Sequence, residues 1–328
     1  MLVLGIESTA HTFGVGIVSD EPRILADARY NYVPRVGGIH PREAAEGFIS
    51  NAPRVLSEAL RSAGISIESV DAIAVALGPG LGPCLRVGAT VARALAAYYG
   101  KPLVPVNHAV AHIEIGKMLT GARDPLVVYI SGGNTVIAAL YGGRYRVFGE
   151  TLDIALGNFM DTLARELGIA PPYVVEGVHA LDRCAEGGKY IEMPYVVKGQ
   201  DTSYSGLLTA ALRAYRSGAR LEDVCFSARE VAYSSLVEVA ERGLSQLGKR
   251  EVLLVGGVAA SRYLVEKFEA MARYRGVELY VTPPKYAVDN GVMIAWTGLL
   301  LYKHGVTVEP ERAYVRQRWR LDSVDVYW

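Results

Sequence analysis

The chain has 328 residues, 51% hydrophobic and 21% charged, which is long enough for two domains and describes a globular protein with a substantial core. Lys plus Arg equals Asp plus Glu at 34 each, giving a net charge of zero. That balance excludes bulk electrostatic capture of nucleic acid but leaves room for a local basic patch.

Met1 to Ile6 reads as an apolar strand and not as a signal peptide. A small polar turn, Glu7 to Thr12, separates it from a second strand at Phe13 to Val18, and Arg23 to Tyr30 makes a third. The loop Arg35-Val36-Gly37-Gly38-Ile39-His40-Pro41-Arg42 feeds a helix with Pro41 in its first turn. In Gly37 to Arg42 the glycines supply conformational freedom, and His40 with Arg42 are expected to face an anionic substrate. Apolar residues recur at helical spacing from Ala44 through Phe48, Ala52, Val55 and Ala59. Strand Ala72 to Leu77, a Gly-Pro-rich turn and helix Leu85 to Tyr99 follow. A short strand, Leu103 to Val106, then runs into Asn107-His108-Ala109-Val110-Ala111-His112-Ile113-Glu114.

The second half repeats the plan. Strand Leu126 to Ile130, turn Ser131 to Thr135 and strands Val136 to Leu140 and Tyr145 to Gly149 mirror the opening. After a longer insertion come helical stretches at 158–167, 204–215 and 224–247. Strand Val252 to Val255, the Gly256-Gly257 turn and helix Ser261 to Tyr274 come next, then strand Val277 to Val281 and helix Asn290 to Tyr302. Strand, Gly-rich turn and helix recur in both halves, so a duplicated α/β fold with a cleft between its domains is the economical reading. The longest apolar run, Val292 to Tyr302, is too short to span a membrane. Cys84, Cys184 and Cys225 are scattered with no C-x-x-C, which suits a reducing cytoplasm and no disulfide framework. Asn and Gln together number nine, a thermophile trend.

Two of the six histidines, His108 and His112, stand four residues apart in a helical stretch with Asn107 as its N-cap. Such residues share a helix face with Cβ atoms about 5–6 Å apart, so both rings could reach one metal ion. A pair of packed histidines fits the spacing equally well. Ala109 stands where the general base of the zinc-protease H-E-x-x-H motif belongs, which excludes that reading. Ser131-Gly132-Gly133-Asn134-Thr135 and the Gly256-Gly257 turn offer backbone N–H groups to a phosphate, or serve only as tight turns. Neither Walker A nor G-x-G-x-x-G is present.

Eight segments in one order carry a resemblance over essentially the whole chain. They are Gly5 to Thr12, Gly37 to Ala44, Asn107 to His112, Tyr129 to Thr135, Asp153 to Asn158, Ser203 to Leu207, Val255 to Ala260 and Asp289 to Gly291. The set resembles the universal tRNA threonylcarbamoyladenosine transferase family, in its archaeal and eukaryotic branch, the catalytic subunit of the KEOPS complex. The resemblance implies an actin-like ATPase (ASKHA) fold. Its expected domains are 1–122 and 123–305, the latter with a helical insertion at about 151–220, followed by a tail at 306–328.

The activity implied is transfer of the threonylcarbamoyl group of L-threonylcarbamoyladenylate to N6 of adenosine 37 in tRNAs reading ANN codons. The implied metal ligands are His108, His112, Tyr129 and Asp289, holding one Fe(2+) per subunit, with Mg or Zn as alternatives. On the residues alone, Tyr129 reads as core packing and Asp289 as a helix N-cap. Implied nucleotide contacts, to the adenylate or to ATP or ADP, are Tyr129, Ile130, Ser131, Gly132, Gly133, Asp161, Gly177, Asp182 and Ser261. Two departures stand out: Ser261 replaces the family's Asn, and Pro171 to Gly177 replaces a Pro-Gly-Gly segment. Implied partners are tRNA, a small atypical kinase and small accessory proteins. Arg312, Arg316, Arg318 and Arg320, with Trp319, are expected either to contact tRNA phosphate or to form a solvated tail. Two rival classes remain: a sugar- or acetate-type kinase of the same superfamily, and a non-catalytic scaffold that would have lost the metal ligands.

Overall fold

A computed structural model describes residues 1–34 and 38–328; Arg35, Val36 and Gly37 of the expected substrate-facing loop lie outside the described residues. The chain divides into two compact units, one of residues 1–118, 141–145 and 288–328, the other of residues 119–140 and 146–287.

In the first unit, β1 (Leu2–Glu7), β2 (Thr12–Ser19) and β3 (Arg23–Asn31) form an antiparallel meander. Helix α1 (Pro41–Ala63) leads to β4 (Ala72–Gly78), which pairs parallel with β1. Helix α2 (Gly82–Tyr99) leads to β5 (Leu103–Asn107), parallel with β4, and α3 (His108–Thr120) follows at once. The sheet order is therefore β3-β2-β1-β4-β5. The 3.6-residue period of α1 turns Ala44, Phe48, Ala52, Val55 and Ala59 onto this sheet, where Phe48 meets Phe13 with ring centroids 5.9 Å apart. Each fully buried large side chain of this core contributes about 1.5–3 kcal/mol.

The second unit opens on β6 (Leu126–Ile130), β7 (Thr135–Tyr141) and β8 (Arg144–Glu150). Its insertion comprises α4 (Leu156–Glu166), the paired short strands β9 (Val174–Val175) and β10 (Val178–His179), α5 (Ala180–Cys184), the pair β11 (Val197–Lys198) and β12 (Asp201–Thr202), and α6 (Ser205–Arg216). The long α7 (Leu221–Leu247), β13 (Glu251–Val255), α8 (Arg262–Arg275), β14 (Glu278–Val281) and the single turn α9 (Pro284–Ala287) complete it. The sheet order is β14-β13-β6-β7-β8, with β13 parallel to β6 and β14 and β7 antiparallel to β6. Strand β6 thus occupies the place of β1 and β13 that of β4, which is the duplication expected from the repeated strand–turn–helix pattern.

Two expectations need correction. Residues 288–305, read as part of the second domain, fall in the first unit, because α10 (Gly291–Lys303) lies on β1, β2 and β4. This helix is the longest apolar run of the sequence, and its burial on nearly all sides accounts for that composition. Among the described residues, no helix is long and apolar enough to cross a membrane. The second correction concerns the cysteines: Cys184 and Cys225, 41 residues apart in sequence, form a disulfide. The crosslink joins α5 to α7, and only the packing of those two helices brings the residues together. Closing a loop of that length contributes about 4 kcal/mol through the unfolded state. Cys225→Ser, or reduction of the wild type, should lower the urea midpoint by a matching amount, and reductant should then leave the variant unaffected.

Candidate metal centre

Helix α3 begins one residue after β5 ends, so the strand aims it. The Asn107 side chain caps it, accepting from the N–H groups of Ala109 (2.9 Å) and Val110 (3.2 Å). His108 and His112 then lie on one face with ring centroids 4.6 Å apart, and both are buried. Asp289 comes from the far end of the chain. Its neighbour Asn290 takes the capping role on α10, accepting from Met293 N–H at 2.9 Å, which leaves the Asp289 carboxylate for other partners. Asp289 Oδ1 sits 3.3 Å from His112 Nε2 and 3.6 Å from His108 Nε2.

Potential ligand atoms of His108, His112 and Asp289 lie within 4.8 Å of one another. Two imidazole nitrogens and one carboxylate oxygen at this spacing suit a first-row divalent ion, so the residues present fit a metal. The electrostatics agree. Burial opposes the charged form of His108, but the carboxylates of Glu7 and Asp289 outweigh it and raise its pKa to about 9. Burial pushes the pKa of His112 down. Burial would raise the Asp289 carboxyl, yet the two histidines hold it well below the ordinary carboxylate range. A cation is the charge this pocket favours.

A second ring of contacts fixes these side chains, and sequence reading had not assigned it. The Glu7 carboxylate ends β1, fully buried, and accepts from His108 Nδ1–H at 2.9 Å, which fixes the tautomer and turns Nε2 toward Asp289. Thr9 steadies Glu7 through its N–H at 2.6 Å and its hydroxyl. On the other side, Arg29 donates to the Asp289 carbonyl at 3.2 Å while its guanidinium is held by Asp27. A glutamate ending a buried strand was the available signal for Glu7.

The remaining expected site residues belong to the second unit. Tyr129 and Ile130 end β6 and are buried; the Tyr129 hydroxyl accepts from Asn134 Nδ2 at 3.4 Å. Ser131 Oγ closes the following turn, accepting from the N–H groups of Gly133 (3.3 Å) and Asn134 (3.1 Å), so Gly132 and Gly133 are exposed at its tip. Gly256 ends the facing strand at φ 92°, where a Cβ would stand 2.3 Å from the Ile130 carbonyl oxygen, so only glycine fits this turn.

Asp182 and Ser261, which sequence reading matched separately, meet. Ser261 Oγ donates to Asp182 at 2.9 Å while capping α8 at Leu264 N–H. Tyr233 donates to the same carboxylate at 3.2 Å, and Arg229 approaches it to 3.9 Å. Burial, reinforced by Asp182, raises the Tyr233 phenol well above its usual value. Asp161 accepts from His179 Nε2 at 3.0 Å, and Gly177 is an exposed turn glycine at φ 79°.

Comparison with known proteins decides the family. Residues 23–296 match the model of the tRNA N6-adenosine threonylcarbamoyltransferase family. The chain is 63% identical over its whole length to the protein of that name from Aeropyrum pernix, covering 95% of it, and 62% identical to the one from Hyperthermus butylicus, covering 91%. The chain belongs to the tRNA N6-adenosine threonylcarbamoyltransferase family. Among solved structures, HypF from T. kodakarensis matches 94% of this chain and 48% of its own with a TM-score of 0.65 at 17% identity. The activator of the 2-hydroxyisocaproyl-CoA dehydratase from Clostridium difficile, covered to 97%, gives 0.55 at 14%. These likenesses carry the fold alone, and it is the actin-like ATPase fold.

In this family member, the support of Glu7 for His108 has a measurable consequence. Glu7→Gln keeps the shape but removes the charge that holds Nδ1–H. Metal affinity should fall about 10–100-fold in a chelator competition, as for other outer-shell partners of histidine ligands. An unchanged affinity would assign Glu7 to packing.

Proposed function

We propose that this chain is a tRNA N6-adenosine threonylcarbamoyltransferase acting on L-threonylcarbamoyladenylate and on adenosine 37 of tRNAs that read ANN codons. The arrangement of two histidines and one carboxylate in a chain of this family carries the reading. A non-catalytic scaffold has no need of that constellation. In the reaction, adenosine N6 attacks the carbamoyl carbon, the carbon–oxygen bond to phosphate breaks, AMP leaves and N6 loses a proton. A bound divalent metal supplies a Lewis acid for the carbonyl and a charge to position the acyl phosphate.

We take that metal to be Fe(2+), since two histidines and a carboxylate are the residue types that hold non-haem iron. The chain's own residues do the positioning: Glu7 and Asn107 orient the histidines, and Arg29 and Asn290 orient Asp289. From the family resemblance alone, the proposal adds Tyr129 as an oxygen donor and Ile130, Ser131, Gly132, Gly133, Asp161, Gly177, Asp182 and Ser261 as nucleotide contacts. It also adds a cytoplasmic location and KEOPS partners comprising a small atypical kinase and small accessory proteins. Incubating metal-loaded protein, those partners, tRNA and threonylcarbamoyladenylate should yield threonylcarbamoyladenosine by nucleoside mass spectrometry. ADP release dependent on a sugar or acetate, with tRNA left unmodified, would point instead to a kinase.

A further inference from the structure

The segment from Arg312 to Arg320 carries four arginines and no acid, in a chain whose net charge is zero. It is held in place within the first unit. Ala313 is buried, and Val315 and Trp319 pack against the core. Arg316 N–H donates to Leu77 O at 2.6 Å, and Gly80 N–H donates to Gln317 O at 3.2 Å. A contact at Trp319 ties the segment to the metal helix, because Asn107, whose Oδ1 caps α3, donates through Nδ2 to the Trp319 carbonyl at 3.1 Å. The turn it lies on reaches the same place, since Leu81 N–H donates to the carbonyl of Thr9, the residue that steadies Glu7.

Three of the charges on this strap lie on the surface. Arg320 pairs with Asp322 and Asp325 with Arg144, but Arg312, Arg316 and Arg318 are exposed and, among the described residues, pair with no carboxylate. Exposed Arg86 of α2 brings a fourth positive charge close by, its guanidinium and the Gln317 amide both lying over Gly82. The Arg316 guanidinium lies over the Trp319 ring, 4.8 Å from its centroid, a contact that limits its freedom. Exposed Tyr314 adds a second aromatic ring on the same segment. Preorganised guanidinium forks interleaved with aromatic faces are the chemistry of polynucleotide backbones, not of a diffuse acidic partner.

We infer that the tail from Arg312 to Arg318, with Arg86, is a docking lip for the tRNA phosphate backbone beside the metal helix. The inference rests on the tRNA reading above and names the surface that serves it. The test compares metal-loaded full-length wild type with Arg312→Ala/Arg316→Ala/Arg318→Ala and with the corresponding triple Lys variant, titrating tRNA at several salt concentrations. The Ala variant should bind at least about ten-fold more weakly, with the slope of log K against log salt flattened by about 2 to 3. The Lys variant should keep most of the slope, and all three proteins should hold the same metal content and thermal midpoint. Transfer should show a raised KM for tRNA with kcat retained.

Wild-type affinity and slope in the Ala variant would overturn the lip while leaving the tRNA reading intact. Unchanged tRNA binding with transfer lost only when partner subunits are present would overturn it in favour of a protein-binding surface. A fall in metal content or thermal midpoint that Lys fails to restore would reduce the arginines to a strut. Wild type that neither binds nor modifies tRNA would remove the tRNA reading, and the lip with it.

Discussion

The double substitution His108→Ala with His112→Ala should strip the protein of bound metal and lower threonylcarbamoyl transfer about a thousand-fold or more. The magnitude follows from losing a Lewis acid worth several kcal/mol of barrier, at about 1.4 kcal/mol per tenfold. Both imidazoles are buried and face one carboxylate oxygen, so their loss leaves Asp289 as the sole remaining member of the triad and Glu7 with only Thr9 as its donor. The variant is checked by elemental analysis of purified protein, nucleoside mass spectrometry of treated tRNA, and circular dichroism to show that α3 persists. Wild-type metal content and rate in a folded double variant would mean that the two histidines merely pack.

What the sequence disclosed about this centre, and what it withheld, follows from distance along the chain. The histidine pair was readable because helical period is local, and Asn107 as its cap was readable for the same reason. Glu7 was visible as a polar turn residue, but its bond to His108 spans 101 positions and depends on β1, β4 and β5 lying side by side. At Asp289-Asn290 two good capping residues adjoin, and composition cannot say which caps. The seating of α10 decides it, giving the cap to Asn290 and the carboxylate to the histidines.

The same locality explains the remaining contrasts. Strands with clear apolar runs and helices with clear period were found close to their observed bounds. The two-residue strands of the insertion and the five-residue α5 are too short to show any period, and they carry Asp182 and Cys184. Matching Asp182 and Ser261 to one site required the family resemblance, since 79 residues separate them. Tyr233, which bonds to both, left no signal in α7 beyond that of an ordinary buried aromatic residue.

Gly16→Ala should destabilise the protein by about 3 kcal/mol or more and reduce metal affinity beyond what the stability loss explains. Helix α10 rests on the first sheet by backbone contact: a Cβ on Gly16 would stand 2.3 Å from Val292 N and 2.4 Å from Gly291 C, and one on Gly5 would stand 2.1 Å from Ala295 N. No side chain intervenes that could swing aside, so the helix itself must lift, at the upper end of the cost of overpacking. Asp289 enters two residues before Gly291, and its carboxylate depends on that seating to reach histidines from the other end of the chain. Gly206→Ala, in α6 with open space around it, is the control and should be neutral or stabilising by a few tenths of a kcal/mol. Urea denaturation and chelator competition on both variants provide the check. Equal stability of the two would show that α10 has room to spare, and that Asp289 is held to the histidines by some other restraint.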